Sequence, residues 1–171
     1  IGMLAGHHYY TFSNGMTSDQ LLADKLGAPY LGDCMMAGLK FGKLGYVTIW
    51  GHHGRGGGAL AGSALNRLEK VTMGFDADIY LMGHASKISA AKTQRIVIDW
   101  KTGKVRHRDR IIATAGAFMQ GYRQGRTFGG RAQGSYAEQG MMNPVAMGGA
   151  LIEIAPQVIN GVFTPAMSIR L

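Results

Sequence analysis

Five of the chain's six histidines stand beside glycine in three short clusters: Gly6-His7-His8, Gly51-His52-His53-Gly54 and Gly83-His84-Ala85-Ser86. The sixth, His107, stands alone on a basic stretch. Imidazole changes charge near neutral pH and is the commonest nitrogen ligand of transition metals. The second and third clusters each follow an apolar run that reads as a strand, Tyr46-Val47-Thr48-Ile49-Trp50 and Asp76-Ala77-Asp78-Ile79-Tyr80-Leu81-Met82. A histidine at the end of a buried strand is fixed by the strand and opened to substrate by the loop. Metal binding is therefore the first chemistry this spacing offers.

A second pattern is cationic. Lys104, Arg106, Arg108 and Arg110 alternate along one run, which places them on one face of a strand. They read either as a solvated sheet face or as a stripe that contacts phosphate. Arg123, Arg126 and Arg131, in a loop rich in glycine, extend the stripe. Aromatic interleaving is slight, so the pattern does not argue for base stacking. The glycine-rich segment from Gly54 to Gly58 is not followed by Gly-Lys-Ser/Thr, which excludes a nucleotide P-loop. Ser18 and Ser63 lack the surroundings of a nucleophile, and Asp76 and Asp78 read as capping or turn residues.

The elements that must position these groups follow from local signals. Thr17-Ser18 offers an N-cap, with Asp19 in the first turn, Leu21, Leu22 and Leu26 as an apolar face, and Gly27 as the stop. Residues 30–39 read as extended and 40–45 as a turn. A helix is predicted over Ala59 to Met73, with Leu60, Leu65, Leu68 and Val71 at helical spacing. Strand, loop, helix, strand is the βαβ pattern of an α/β layer. The rest reads as β: Gln94 to Trp100, a turn at Lys101-Thr102-Gly103-Lys104, a return strand Val105 to Thr114, and a closing pair, Ala150 to Ile154 and Val158 to Ile169.

Length and composition agree. At 171 residues and 46% hydrophobic content, the chain is long enough to bury a core. The formal net charge of +8 favours polyanionic partners. Eleven methionines read as pliable core filling. The single Cys34 excludes an intrachain disulfide, and with no export signal it points to the cytoplasm, of the host cell if the chain is phage-encoded. No apolar run reaches the length of a membrane-spanning helix, so no membrane association is expected.

The order of these blocks resembles the C-terminal portion of the calcineurin-like metallophosphoesterases, in their phage-type branch. That family carries Asp-x-His, Gly-Asp, Gly-Asn-His-Asp/Glu, a histidine-bearing strand end and Gly-His-x-His in fixed order. The last three correspond to Gly6-His7-His8-Tyr9, His52-His53 and Gly83-His84-Ala85-Ser86. Gly54 to Gly58, Ser135-Tyr136-Ala137-Glu138, Pro144 and Gly148-Gly149 also resemble this branch, so the likeness covers roughly residues 1 to 155. It implies an α/β fold, a β-sandwich flanked by helices, in a single domain over residues 1–171. That domain would be incomplete on its N-terminal side, because the first two blocks have no counterpart before Gly6.

The resemblance also implies roles. His8 takes the place of the histidine that assists catalysis. His7, His52 and His84 take metal-ligand places, with His53 as the alternative to His52. The metal would be Mn, Fe, Zn or Ni, and the substrate a phosphomonoester or phosphodiester, DNA or RNA included. Ser86 replaces a second histidine of the last block, and the carboxylate that bridges two metals is missing. These departures favour a degenerate relative that binds nucleic acid or builds an assembly, a homo-oligomer included; the surviving histidines favour a hydrolase.

Overall fold

The computed structural model describes residues 2–55, 58, 60–100 and 102–171. Gly56 and Gly57 of the glycine-rich segment, Ala59 at the expected helix start and Lys101 of the expected turn lie outside the described residues. Thr17 opens α1 (Ser18–Lys25) with a capping box: its hydroxyl accepts the Gln20 N–H, and the Gln20 side chain accepts the Thr17 N–H at 2.9 Å. The buried side chain of this helix is Ala23, whereas Leu22 and Leu26 of the expected apolar face are exposed.

A hairpin of β1 (Cys34–Phe41) and β2 (Gly45–His52) follows. Then come α2 (Ala61–Val71), β3 (Ile79–Met82), β4 (Ser89–Ile98) and β5 (Val105–Thr114). These five strands form one sheet in the order β1-β2-β3-β5-β4. Its three central strands are parallel and its edges antiparallel. The β2-α2-β3 crossover is the expected βαβ unit. Beyond the sheet lie β6 (Thr127–Phe128), β7 (Arg131–Ala132) and α3 (Tyr136–Gln139). The chain ends with β8 (Leu151–Ala155), β9 (Val158–Ile159), β10 (Val162–Phe163) and β11 (Ala166–Arg170).

The sheet is covered on both faces where the parallel strands pair, so β3 and the adjoining Ile111-Ile112-Ala113 stretch of β5 are apolar without interruption. On one face α2 places Leu68 against Trp50, Tyr80, Met82 and Ile112. On the other, the β8–β11 pair brings Met167, Ile152 and Ile154 onto Val47, Ile79 and Ile111. The result is a mixed α/β, strand-rich architecture with a two-stranded second β layer. The closing strand expected over Val158 to Ile169 is broken by an Asn160-Gly161 turn, where both residues take positive φ. No helix among the described residues is long and apolar enough to cross a membrane.

One buried carboxylate ties the sheet together. Asp78, just before β3, is fully buried. It accepts the Thr48 backbone N–H of β2 at 2.9 Å and the Thr48 hydroxyl at 3.0 Å. It also pairs with Arg108 of β5 and, at 3.5 Å, with Arg95 of β4. A single side chain thus spans four neighbouring strands, where the sequence suggests only a cap or turn.

Candidate metal centre

Parallel pairing brings the ends of three strands to one edge: His52 of β2 lies opposite Met82 of β3, and Met82 opposite Thr114 of β5. In open α/β sheets the crevice beyond the carboxyl ends of the strands is the usual place for a ligand. Here the residues just past those ends are His53 and His84.

Two glycines let the loops meet. A Cβ on Gly54 would stand 2.4 Å from the Gly83 carbonyl oxygen, and one on Gly83 would stand 2.9 Å from the His53 carbonyl oxygen. Gly54 also has φ +90°. Gly54→Ala should therefore cost about 2–4 kcal/mol, from left-handed backbone strain and steric overlap together. Urea unfolding measures that loss, and weaker metal binding should accompany it because the loops carrying His53 and His84 are pushed apart.

The N-terminal segment reaches the same edge by another route. Met3 bridges Tyr30 in parallel, and Ala5 donates its N–H to the Gly32 carbonyl at 2.8 Å. Gly6 donates its N–H to the Asp19 carboxylate at 2.7 Å. Asp19 sits in the first turn of α1, so helix and segment are locked together just before His7.

Four imidazoles converge as a result. The His7 ring centroid lies 4.0 Å from that of His8, 4.1 Å from His84 and 4.8 Å from His53. His53 and His84 are 5.1 Å apart. One ligand nitrogen from each of His7, His8 and His84 lies within 4.8 Å of the others, so this trio could hold a metal ion. His7 and His8 are exposed, which leaves the trio open to solvent. His53 plays a different part: its Nε2 is 2.7 Å from His7 Nδ1. One ring must donate and the other accept. If His7 donates through Nδ1, its Nε2 is left to bind a metal, the usual arrangement for an oriented ligand.

His84 takes φ +49°, a left-handed conformation uncommon outside glycine. Such strain concentrates at functional sites.

His52, the expected strand-end ligand, stands apart from the trio. His52 is two residues from Trp50, so the pleat puts both on one face. Its ring lies 5.7 Å from Trp50, nearly parallel, and its Nδ1 accepts the Gly54 N–H at 2.7 Å. His53, the alternative, is the histidine in the cluster. His8, expected to assist catalysis, falls within the ligand trio. Among the described residues, no carboxylate joins that trio.

Burial lowers the pKa of both His53 and His84 below the ordinary histidine value, and the neighbouring imidazoles lower it further. The repulsion on His53 comes from His7 and His52, opposed by Asp19 and Asp33; on His84 it comes from His7, His53 and His8. Both shifts favour the neutral imidazole, the form that binds metals. The folded state resists protonation that the unfolded chain accepts at about pH 6.5. These two groups should leave stability flat above that pH and lower it as acid is added below it. A urea midpoint that rises on acidification from pH 6.5 would contradict this sign.

A cleft of about 520 Å³ opens beside the trio. His8 and His84 line it, with Arg55 and Lys87 as cations and Leu60, Phe118, Met119 and Tyr136 among its apolar walls. His8, His84, Arg55 and Tyr136 fall in segments the sequence singles out, whereas Lys87, Phe118 and Met119 carry no signal there beyond their types.

The expected phosphate stripe is largely engaged inside the fold. Arg106 pairs with Asp99 at 3.2 Å, Arg108 with buried Asp78, and the Arg110 guanidinium lies 5.6 Å from the centre of the Tyr80 ring. Lys104 is exposed at the hairpin end. Nearby Arg95 has its pKa lowered to about 10, first by burial and then by Arg108 and Arg110. On this face of β5, Arg106 and Arg108 pair with acids while Arg110 rests against an aromatic ring.

No family model matches the chain, and neither a curated protein nor a solved structure matches it.

Proposed function

We propose that the chain is a hydrolase of phosphate esters that works with one divalent transition metal held by His7, His8 and His84. The observation that carries this reading is the convergence of the three histidines beside a cleft whose lining includes His8 and His84 together with two cations. The donor chemistry fits such an ion: imidazole suits Zn, Fe or Ni and leaves a coordination position open when three are used. When bound, the metal would lower the pKa of water and polarise the phosphoryl group. The protein's own residues would do the rest. His53 holds the orientation of His7. Arg55 and Lys87 offset charge on the phosphoryl oxygens. Leu60, Phe118 and Tyr136 take up the organic part of the ester. The calcineurin-like sandwich and the phage-type relationship belong to this proposal, supported by the order of the histidine blocks and by the second β layer.

The test is hydrolysis of bis(p-nitrophenyl) phosphate and p-nitrophenyl phosphate by protein stripped with chelator and reloaded with Mn, Fe, Zn or Ni. Release of p-nitrophenolate that depends on one of these metals and disappears in EDTA is the expected result. Stoichiometric metal without turnover of either ester would overturn the hydrolase. It would leave a non-catalytic metal-binding relative, the reading favoured by the lack of a carboxylate in the trio.

A further inference from the structure

The segment leaving β5 has a composition of its own. Between Ala115 and Tyr136 it carries Arg123, Arg126 and Arg131 and neither Asp nor Glu. All three arginines are exposed. So are four aromatic rings: Phe118 at 79%, Tyr122 at 46%, Phe128 at 76% and Tyr136 at 77%. The slight aromatic interleaving expected from the sequence therefore holds for the β5 run but not for this segment, where exposed rings are interspersed with the arginines. Rings this large are rarely left open on a surface in such density without a partner. The β6–β7 hairpin pairs Phe128 directly with Arg131, so an aromatic and an arginine are cross-strand partners. Tyr122 is anchored by its hydroxyl, which donates to the Met142 carbonyl at 2.6 Å. Phe118 and Tyr136 also line the cleft beside His8 and His84, so the arm runs from the hairpin to the histidine rim.

We infer that this arm, residues 115–136, is a docking surface for single-stranded nucleic acid. Unpaired bases offer flat faces to the exposed rings, and the arginines track the phosphates between them. A duplex keeps its bases stacked on one another and would use only the arginines. The arm has no Leu, Ile or Val and no amphipathic helix to lay in a bilayer, which favours nucleic acid over an anionic membrane. The inference does not depend on the metal centre.

Fluorescence anisotropy with a labelled oligo-dT of about 15 nucleotides, in EDTA, tests it with no metal present. The strand should bind at least about tenfold tighter than a duplex of equal length. Arg123→Ala, Arg126→Ala and Arg131→Ala combined should reduce the slope of log K against log salt by about 2, at roughly 0.7 per phosphate contact. Phe118→Ala with Phe128→Ala should weaken binding about tenfold or more and leave that slope unchanged. Unaltered thermal melting shows that the variants fold. Equal affinity for strand and duplex, variants that bind like the parent, or sedimentation with phosphatidylserine vesicles in place of oligonucleotide binding would each overturn the inference.

Discussion

His84→Ala should abolish stoichiometric metal binding, weakening affinity by at least about 100-fold. Loss of a mere supporting group around a metal commonly costs 10–100-fold, and His84 is one of three ligand candidates grouped among the described residues. Because position 84 takes a left-handed backbone conformation, Ala also adds strain there. His84→Asn separates the two effects: Asn tolerates φ +49° but lacks the imidazole. Both variants should lose metal in titration calorimetry, while Asn keeps the parent's urea midpoint more closely. Full metal occupancy in either variant would remove His84 from the site.

Asp78→Ala should cost about 3–5 kcal/mol, enough to endanger folding of a domain of this size. The reason is what remains behind. Arg95 and Arg108 lose the acid between them, and the Thr48 N–H and hydroxyl lose their acceptor. Arg108→Ala, on the other side of the pair, removes charge from the half-exposed partner and should cost less. Urea unfolding orders the variants. A loss below about 1 kcal/mol for Asp78→Ala would mean that the carboxylate does not hold the sheet together.

Both expectations concern residues whose meaning the sequence shows unevenly. The β2-α2-β3 crossover was legible because Ile79-Tyr80-Leu81-Met82 is a continuous apolar run and a helix-period segment precedes it; the parallel pairing of β5 with β3 was not, because Val105 to Thr114 reads only as the return strand of a hairpin. His84 was legible as the residue ending such a run. His53 was not separated from His52, although a clue existed: Trp50 belongs inside, so the residue two further along shares its face. The role of Asp78 was hidden because its partners lie on strands 17 to 30 residues away, and local signals carry only turn chemistry. The same distance hid the engagement of Arg106 and Arg108: alternation places them on a face but does not say what that face meets. In α1, helical spacing selected Leu21, Leu22 and Leu26, yet the buried side chain is Ala23, and Leu22 and Leu26 are exposed.

The most direct test of the centre is X-ray absorption spectroscopy on protein loaded with one equivalent of zinc. Three imidazole nitrogens at about 2.0–2.1 Å should surround the ion, and the imidazole count should drop by one in His84→Asn refilled at excess metal. A spectrum without imidazole scattering, or one unchanged by that substitution, would contradict a metal centre built from His7, His8 and His84.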